Sequence, residues 1–245
     1  MIREKRWEKI LSLLEKKDSL QVSEISSSLN VSEATIRRDI IELDQQGKLV
    51  KVHGGVLKSN NSYVVRDLTM SEKHDLNLQE KQKIGAYAAT LIEPNDFVYI
   101  DSGTTTEALA MHITQKDATY VTNSLTVAHI LIQKGLHTIL PGGEIKVSTE
   151  ALVGSETVDA ISRYNFTIGF FGTNGANEDN GFTTPEVNEA RVKQIAMEHT
   201  KRKYVLCDHS KFSVISPISF GKFEDATIIT DHYPKKKKKN IVEVK

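Results

Sequence analysis

The chain has 245 residues, of which 39% are hydrophobic and 26% are charged, a balance typical of soluble globular proteins. It contains no run of about 20 apolar residues, which excludes a helical membrane protein, and its N-terminus lacks the apolar segment of a signal peptide. The 32 basic and 32 acidic residues cancel, so bulk charge does not favour a nucleic-acid partner, and the single cysteine, Cys207, predicts a cytoplasmic location.

The first 57 residues predict a small unit of three helices. Arg3–Lys17 and Val22–Leu29 carry apolar residues at helical spacing, and Asn30 predicts a tight turn after the second helix. A third helix is predicted to begin after Ser32, because a serine hydroxyl at that position accepts a hydrogen bond from a free amide of the first turn.

The third helix has two faces of different chemistry. Its apolar stripe lies at i, i+4 and i+7 and consists of Ile36, Ile40 and Leu43. The opposite face carries small, hydroxyl and guanidinium side chains, namely Ala34, Thr35, Arg37 and Arg38. Arginine can grip guanine or a phosphate, and threonine can reach a base edge or a methyl group. Taken alone, these residues fit a DNA-reading face and a solvated charged face equally well.

The segment after the third helix favours the DNA-reading alternative. Gly47 ends the helix, and Lys48–Leu57 contains two short β-like runs hinged on Gly54-Gly55. A helix followed by a basic hairpin is the layout of a winged helix-turn-helix, in which the wing would set Lys51 and His53 beside the DNA. Asp39 and Glu42 are the acidic exceptions within this basic cluster.

Beyond residue 57 the pattern changes twice. Residues 58–79 are assigned as a linker, because they begin with a polar run and continue without clear periodicity. Residues 63–79 could alternatively pack on the second domain or cross to a partner subunit. Residues 80–245 alternate short apolar runs with helical patterns, which predicts an α/β domain with a mainly parallel sheet. The run Lys235–Lys239 fits a solvated loop better than a nucleic-acid patch. The predicted strands are Phe97–Ile100, Thr119–Val121, Thr138–Leu140, Phe166–Phe171, Tyr204–Cys207, Thr227–Ile229 and Ile241–Val244.

Polar residues collect at the ends of these strands, where open α/β sheets bind their ligands. Asp101–Thr106 leads from the first strand into a helix, and a glycine turn with hydroxyls at a helix N-terminus favours a phosphate. The segment lacks the patterns of a P-loop and of a dinucleotide site. With Lys211 as a positive charge, it would suit a phosphorylated sugar or polyol, although turn and cap roles remain open for each residue. Asp101 and Asp208 are alternatively placed to orient Lys211.

Several of these segments closely resemble the DeoR family of bacterial transcriptional regulators. Val31–Asp39 with Val52–Gly55 is similar to the helix-turn-helix signature of that family, and Gly181–Pro185 resembles members that control fructose operons. The segments that resemble its effector domain are Asp101–Thr106, Val121–Asn123, Gly142–Gly143, Glu189–Ala190 with Lys193, and Asp208–Phe212. The five-lysine run departs from the more mixed helical segment of the family.

The resemblance implies a repressor that binds double-stranded operator DNA as a homo-oligomer and is relieved by a phosphorylated sugar. It implies a second domain related in fold to ribose-5-phosphate isomerase, and it implies neither an enzyme, nor a cofactor, nor a metal. Arg37 and Arg38 would then contact DNA, and Asn123 and Glu189 would reach sugar hydroxyls. The residues that would hold the phosphate are Ser102, Gly103, Thr104, Thr105 and Lys211.

The predicted sites can therefore be stated as two sets. The DNA-binding set is Ser32, Ala34, Thr35, Arg37, Arg38, Lys51 and His53. The effector-binding set is Asp101, Ser102, Gly103, Thr104, Thr105, Asn123, Gly143, Asn174, Glu189, Asp208 and Lys211. The alternative function is a sugar-phosphate isomerase or transferase that carries a DNA-binding module, with Asp101, Asp208 or Glu189 as general base and Lys211 stabilising an enediolate.

Overall fold

A computed structural model describes residues 2–17, 19–45, 48–52, 54–58, 68–74, 76–212, 214–234 and 238–245. The chain divides into two compact units, Met1–Tyr63 and Val64–Lys245. None of the helices in these described ranges is long and apolar enough to span a bilayer.

The first unit is the predicted winged helix-turn-helix. Its elements are α1 (Arg3–Lys16), β1 (Ser19–Gln21), α2 (Val22–Leu29), α3 (Glu33–Gln45), β2 (Leu49–Val52) and β3 (Gly55–Lys58). The strands form an antiparallel sheet in the order β1-β3-β2. Strand β1 was not predicted, because three residues are too few to show a strand period.

A single hydrophobic cluster holds the three helices together. The predicted stripe of α3 lies in this cluster, and all of its side chains are buried: Ile36, Ile40 and Leu43. Residues Ile10 and Leu14 of α1 and Ile25 of α2 pack against them. Asn30 adopts a left-handed conformation, with φ of 50°, and so makes the predicted tight turn before α3.

The second unit is built on a parallel sheet of seven strands. In chain order its main elements are α4 (Met70–His74), α5 (Leu78–Ala89), β4 (Phe97–Ile100), α6 (Thr104–His112), β5 (Thr119–Thr122), α7 (Leu125–Gln133), β6 (His137–Ile139), β7 (Glu144–Lys146), β8 (Ala151–Val153), α8 (Ser155–Ile161), β9 (Phe166–Gly172), β10 (Gly175–Asn177), β11 (Gly181–Thr184), α9 (Val187–Glu198), β12 (Thr200–Leu206), β13 (Ile218–Gly221), β14 (Thr227–Thr230) and β15 (Ile241–Glu243). The order of the large sheet is β15-β14-β12-β9-β4-β5-β6. This confirms the predicted α/β fold.

Helices cover both faces of the large sheet, because alternate residues of each strand enter different clusters. In β4, Val98 and Ile100 pack with α5, α6 and α7, whereas Tyr99 packs with α8 and α9. Along the chain, β4 to β6 extend the sheet in one direction, and β9, β12, β14 and β15 extend it in the other. The direction therefore reverses between β4 and β9, which is the position where sheets of this kind bind ligands.

Two antiparallel additions were not predicted. Strands β7 and β8 form a hairpin, and β10, β11 and β13 form a small sheet. Most of these strands have only three or four residues, too few to show a clear alternation. Near the C-terminus, Lys238 donates to Glu178 at 2.5 Å, so this member of the lysine run is held by a carboxylate.

The structure places the end of the predicted linker 58–79 in the second unit. Met70 donates its amide to the carbonyl of Ser148 at 3.0 Å, and His74 lies 3.1 Å from the buried carboxylate of Glu107. The first two residues of α5, Leu78 and Gln79, also fall within that range. The pattern of α4 was missed because a five-residue helix is shorter than two turns.

Candidate functional site

Helix α3 presents the predicted polar face to solvent. The Ser32 hydroxyl accepts from the amide of Thr35 at 3.4 Å and lies 3.0 Å from its hydroxyl, so Ser32 caps the helix as predicted. Ala34, Arg37 and Arg38 are exposed, and Thr35 is half-buried. The cap and the core stripe together fix which side chains α3 turns outward.

The two arginines differ in their surroundings. Arg37 donates to Glu33 one turn earlier, at 3.1 Å. For Arg38, no hydrogen bond or ion pair is found within the described part of the chain. The guanidinium of Arg38 can therefore bind an external partner without the loss of a contact to the described part of the chain.

Asp39 does not oppose these positive charges. Its carboxylate is buried and accepts from Arg6 at 2.5 and 2.9 Å and from the indole of Trp7 at 2.9 Å. The hydrogen bond with Asp39 raises the pKa of Arg6. Glu42, the other acidic exception, forms an ion pair with Arg3. Both carboxylates are therefore neutralised by α1, which the sequence pattern did not reveal.

The wing is attached to the end of α3. The amide of Lys51 donates to Asp44 at 2.8 Å, and the Lys51 side chain is exposed. Arg37, Lys51 and Gly54 line a hollow of about 390 Å³ between α3 and the wing. This brings two of the predicted DNA-binding cations together, whereas His53 lies outside the described residues.

The second unit contains a cleft at the reversal point of the large sheet. It has a volume of about 630 Å³, part of it open to solvent. Seven residues of the predicted effector set line it: Ser102, Gly103, Thr104, Thr105, Asn174, Glu189 and Lys211. It is also lined by residues outside that set: Met70, Lys73, Leu76, Lys81, Thr149, Gly172, Thr173 and Lys193.

One end of the cleft is the N-terminus of α6. Gly103 precedes the helix with φ of 149° and ψ of 158°, a conformation that is essentially restricted to glycine. The carbonyl of Gly103 accepts from the amide of Glu107 at 2.9 Å and from the hydroxyl of Thr106 at 2.8 Å. The preceding amides of the first turn have no partner inside the helix, and with the helix dipole they favour an anion.

Four lysines line the cleft, Lys73, Lys81, Lys193 and Lys211, and only Lys211 belongs to the predicted set. Lys193, which belongs to a segment that resembles the effector domain of the family, forms a buried ion pair with Asp101 beneath the cleft. Lys81 is buried, and its ammonium donates to the carbonyl of Lys73 at 2.5 Å. Burial lowers the pKa of Lys81 to about 8. The cleft is thus lined by four lysines and one carboxylate, Glu189, and this excess of positive charge favours a phosphate.

The other end of the cleft carries one carboxylate with fixed partners. Glu189 accepts from Thr149 at 2.6 Å and from Thr184 at 3.4 Å, and it lies 3.3 Å from the ammonium of Lys146. Asn174 is close by, because its side-chain oxygen accepts from the same Thr184 at 3.2 Å. These oxygens and amides are suited to hydroxyl groups rather than to a second phosphate.

Two predicted carboxylates do not line the cleft. Asp101 lies below it, accepts from the amide of Gly172 at 2.9 Å and holds Lys193. Burial raises the pKa of Asp101. Asp208 accepts from Asn77 at 2.9 Å, so it ties the start of α5 to the strand end. Their contact with an effector stays a prediction, and Asp101 orients Lys193 rather than Lys211.

Asn123 and Gly143 are also outside the cleft lining. The Asn123 side chain accepts from the hydroxyl of Tyr99 at 3.1 Å and donates to the carbonyl of Leu152 at 3.2 Å. A Cβ at Gly143 would lie 1.9 Å from the hydroxyl oxygen of Thr157, so this glycine permits close packing. The sequence could not separate these structural roles from ligand contact, because the same residue types serve both. Across the described ranges, no cluster of three metal-ligating side chains is present.

Comparison with known proteins identifies both units. The DeoR-like helix-turn-helix domain matches residues 6–62, and the DeoR C terminal sensor domain matches residues 76–232. The "Uncharacterized HTH-type transcriptional regulator FruR" of Bacillus subtilis is 40% identical over 231 residues, which cover 94% of this chain and 91% of that protein. The "Lactose phosphotransferase system repressor" of Staphylococcus epidermidis is 37% identical over 240 residues, covering 96% and 95%.

Two solved structures share parts of the fold at low identity. Ribose 5-phosphate isomerase A from Methanocaldococcus jannaschii aligns with a TM-score of 0.40 and 13% identity, over 54% of this chain and 53% of that chain. The sorbitol operon regulator SorC from Klebsiella pneumoniae aligns with a TM-score of 0.40 and 10% identity, over 83% and 89%. The family matches and the full-length relatives carry the assignment: this chain belongs to the DeoR family of helix-turn-helix transcriptional regulators.

Proposed function

We propose that this protein is a repressor of a carbohydrate-utilisation operon and that a phosphorylated sugar releases it from operator DNA. The observation that carries the proposal is the cleft, which is lined by the N-terminus of α6 and by four lysines, a combination that favours an anion. The names of the relatives, a regulator called FruR and a lactose phosphotransferase system repressor, support a sugar operon as the target. Such a repressor works in the cytoplasm.

In this proposal, operator DNA is bound by the exposed face of α3 and by the wing. Arg38 reads a base edge, because its guanidinium is exposed and has no partner among the described residues. Arg37 and Lys51, which line the same hollow, hold the backbone. Ser32, Ala34, Thr35 and His53 complete the proposed contacts. A homo-oligomer would set two copies of α3 about one helical turn of DNA apart.

The effector is held at two ends. Its phosphate accepts from the amides of the first turn of α6 and from the hydroxyls of Ser102 and Thr105, with the lysines supplying charge. Its sugar hydroxyls donate to Glu189 and bond to Asn174. The effector and the operator then favour different arrangements of the protein, and the difference between their affinities for the two arrangements sets the response.

Each carboxylate considered as a general base already has fixed partners. Asp101 is paired with Lys193, Glu189 is held by Lys146 and Thr149, and Asp208 accepts from Asn77. We therefore propose that the cleft binds its sugar phosphate without converting it. Incubation with the monophosphates of ribose, fructose and tagatose tests this directly, since any turnover would favour the enzyme alternative.

A thermal-shift screen followed by a gel-shift assay tests the main proposal. We expect one or more sugar monophosphates to raise the melting temperature, whereas the free sugars do not, and the same compound to dissociate the protein from its operator. A compound bound at [L] of about 100 Kd stabilises the protein by about 2.7 kcal/mol. If no monophosphate shifts the melting temperature, or if the best binder leaves the operator complex intact, the proposal is wrong.

A further inference from the structure

Lys81 occupies an unusual position for a lysine. It lies in the first turn of α5, on the face that also buries Ile84 and Ala88, and only 4% of it is exposed. Its side chain nevertheless lines the same cleft as Ser102 and Thr105. The ammonium is therefore shielded from bulk solvent and close to the proposed phosphate site.

The ammonium of Lys81 also touches α4. It donates to the backbone carbonyl of Lys73, which also accepts from the amide of Leu76 at 3.3 Å. An ammonium has three donors, so one hydrogen bond to a carbonyl leaves donors for a second acceptor. A phosphate oxygen is the acceptor that this charge, in this cleft, fits best.

Helix α4 is also attached to the second unit through its first and last residues. The amide of Met70 donates to the carbonyl of Ser148, and His74 lies against the carboxylate of Glu107. Along the chain, α4 is the first described helix after the wing. A change in how firmly α4 is held therefore acts at the start of the segment that leads back to the DNA-binding unit.

We propose that Lys81 joins the effector phosphate to α4, so that the bound phosphate tightens the hydrogen bond from Lys81 to the Lys73 carbonyl and immobilises α4. The inference rests on the proposed function, since it needs a phosphate at the N-terminus of α6. Near pH 7 the ammonium is already charged, and a phosphate that accepts from it fixes its position, so that its hydrogen bond to the carbonyl is held in one geometry. Effector binding thereby orders α4, the first described helix after the wing.

The charged groups around Lys81 come from several elements, and they influence the pKa of its ammonium. Asp208 and Glu107 favour the ammonium, whereas Lys211 and Lys73 oppose it, and His74 faces Glu107. Burial is the largest influence and gives the pKa of about 8 stated above. Because the cationic form binds the phosphate, affinity for a sugar phosphate should fall several-fold between about pH 7 and pH 9. The difference between wild type and Lys81→Met isolates this effect from the other groups.

Hydrogen–deuterium exchange measures the coupling with full-length protein and fructose monophosphates as probes. We expect the ligand to slow exchange in α4 several-fold in wild type and in Lys83→Met, a control at an exposed lysine of the same helix. In Lys81→Met, saturating ligand should leave the exchange of α4 unchanged, and Lys81→Arg should recover part of the slowing because it keeps the charge.

The outcomes separate the inference from the proposed function. If wild type binds a fructose monophosphate but exchange in α4 does not slow, or if Lys81→Met retains the full slowing, Lys81 does not couple the bound phosphate to α4. If Lys81→Met binds too weakly to be saturated, the pH profile of wild type decides, and a flat profile overturns the inference. If wild type binds no sugar monophosphate at all, the proposed function fails and the inference with it.

Discussion

Replacing Lys81 by methionine should make the unliganded protein more stable. The pKa of Lys81 falls from 10.5 to about 8, so the charged form at pH 7 carries a cost of about 3 kcal/mol. Methionine has a similar length and removes the charge. The hydrogen bond to the Lys73 carbonyl is lost as well, which costs about 1–2 kcal/mol, although that carbonyl keeps the amide of Leu76.

The expected net effect is a gain of about 1–2 kcal/mol in the free energy of unfolding at pH 7. For a unit of this size, that raises the melting temperature by about 2–8 °C. Calorimetry of the full-length protein measures it, with Lys83→Met as the control that should stay within about 0.5 kcal/mol of wild type. The same substitution should abolish the pH dependence of effector binding that arises from Lys81. The variant therefore gains stability and loses this part of its effector binding.

The pH dependence of this gain is fixed by the direction of the pKa shift. Below about pH 8, Lys81 is charged in the folded and the unfolded protein, and the full difference from Lys81→Met is present. Above that pH, the folded protein loses the proton first, and the difference disappears as the pH approaches 10.5. A variant less stable than wild type at pH 7 would refute the reasoning, because it would show that the buried ammonium is a net stabiliser.

Further predictions concern both units. Arg38→Ala should weaken operator binding about tenfold or more and reduce the preference over random duplex, while the thermal shift with a sugar phosphate stays unchanged; equal operator binding in a gel shift would contradict it. Asp39→Asn should lower the stability of the first unit by about 2 kcal/mol in thermal unfolding, since Arg6 and Trp7 lose a charged acceptor, and an unchanged transition would disprove this role. Gly103→Ala should remove the sugar-phosphate thermal shift, because relief of a backbone strain of about 1–3 kcal/mol displaces the first-turn amides of α6, whereas Gly142→Ala, with open space and no positive φ, should retain it.

The parts of the fold that depend on local sequence were predictable. The bounds of α2 and β4 agree with the predicted ones to the residue, since caps, glycines and the change of apolar period mark their ends. The part of the cleft at the N-terminus of α6 was predictable for the same reason. Ser102, Gly103, Thr104 and Thr105 are contiguous, and a glycine turn with hydroxyls before a helix is a pattern typical of an anion site.

The contributions from distant elements were not predictable in the same way. Lys81 reaches the cleft from a helix about twenty residues before the Ser102 turn, and Asp39 is neutralised by a helix at the other end of the first unit. A weaker signal was nevertheless present. Both residues lie on the apolar face of their helices, Lys81 three residues before Ile84 and Asp39 beside Ile40. A charged residue in such a stripe must find a partner, and the sequence does not say which.

The partner decides whether a buried charge has a structural or a binding role. Asp39 has a guanidinium and an indole, and Lys193 has the carboxylate of Asp101, so each of these charges is balanced inside its own unit. Lys81 has a carbonyl, and within the described residues no carboxylate lies at ion-pair distance from it. Burial of an ammonium without an ion pair is unfavourable, and the proposed phosphate would offset that penalty. The cost carried by the unliganded protein at Lys81 thus becomes affinity for an anionic effector, which a neutral side chain could not supply.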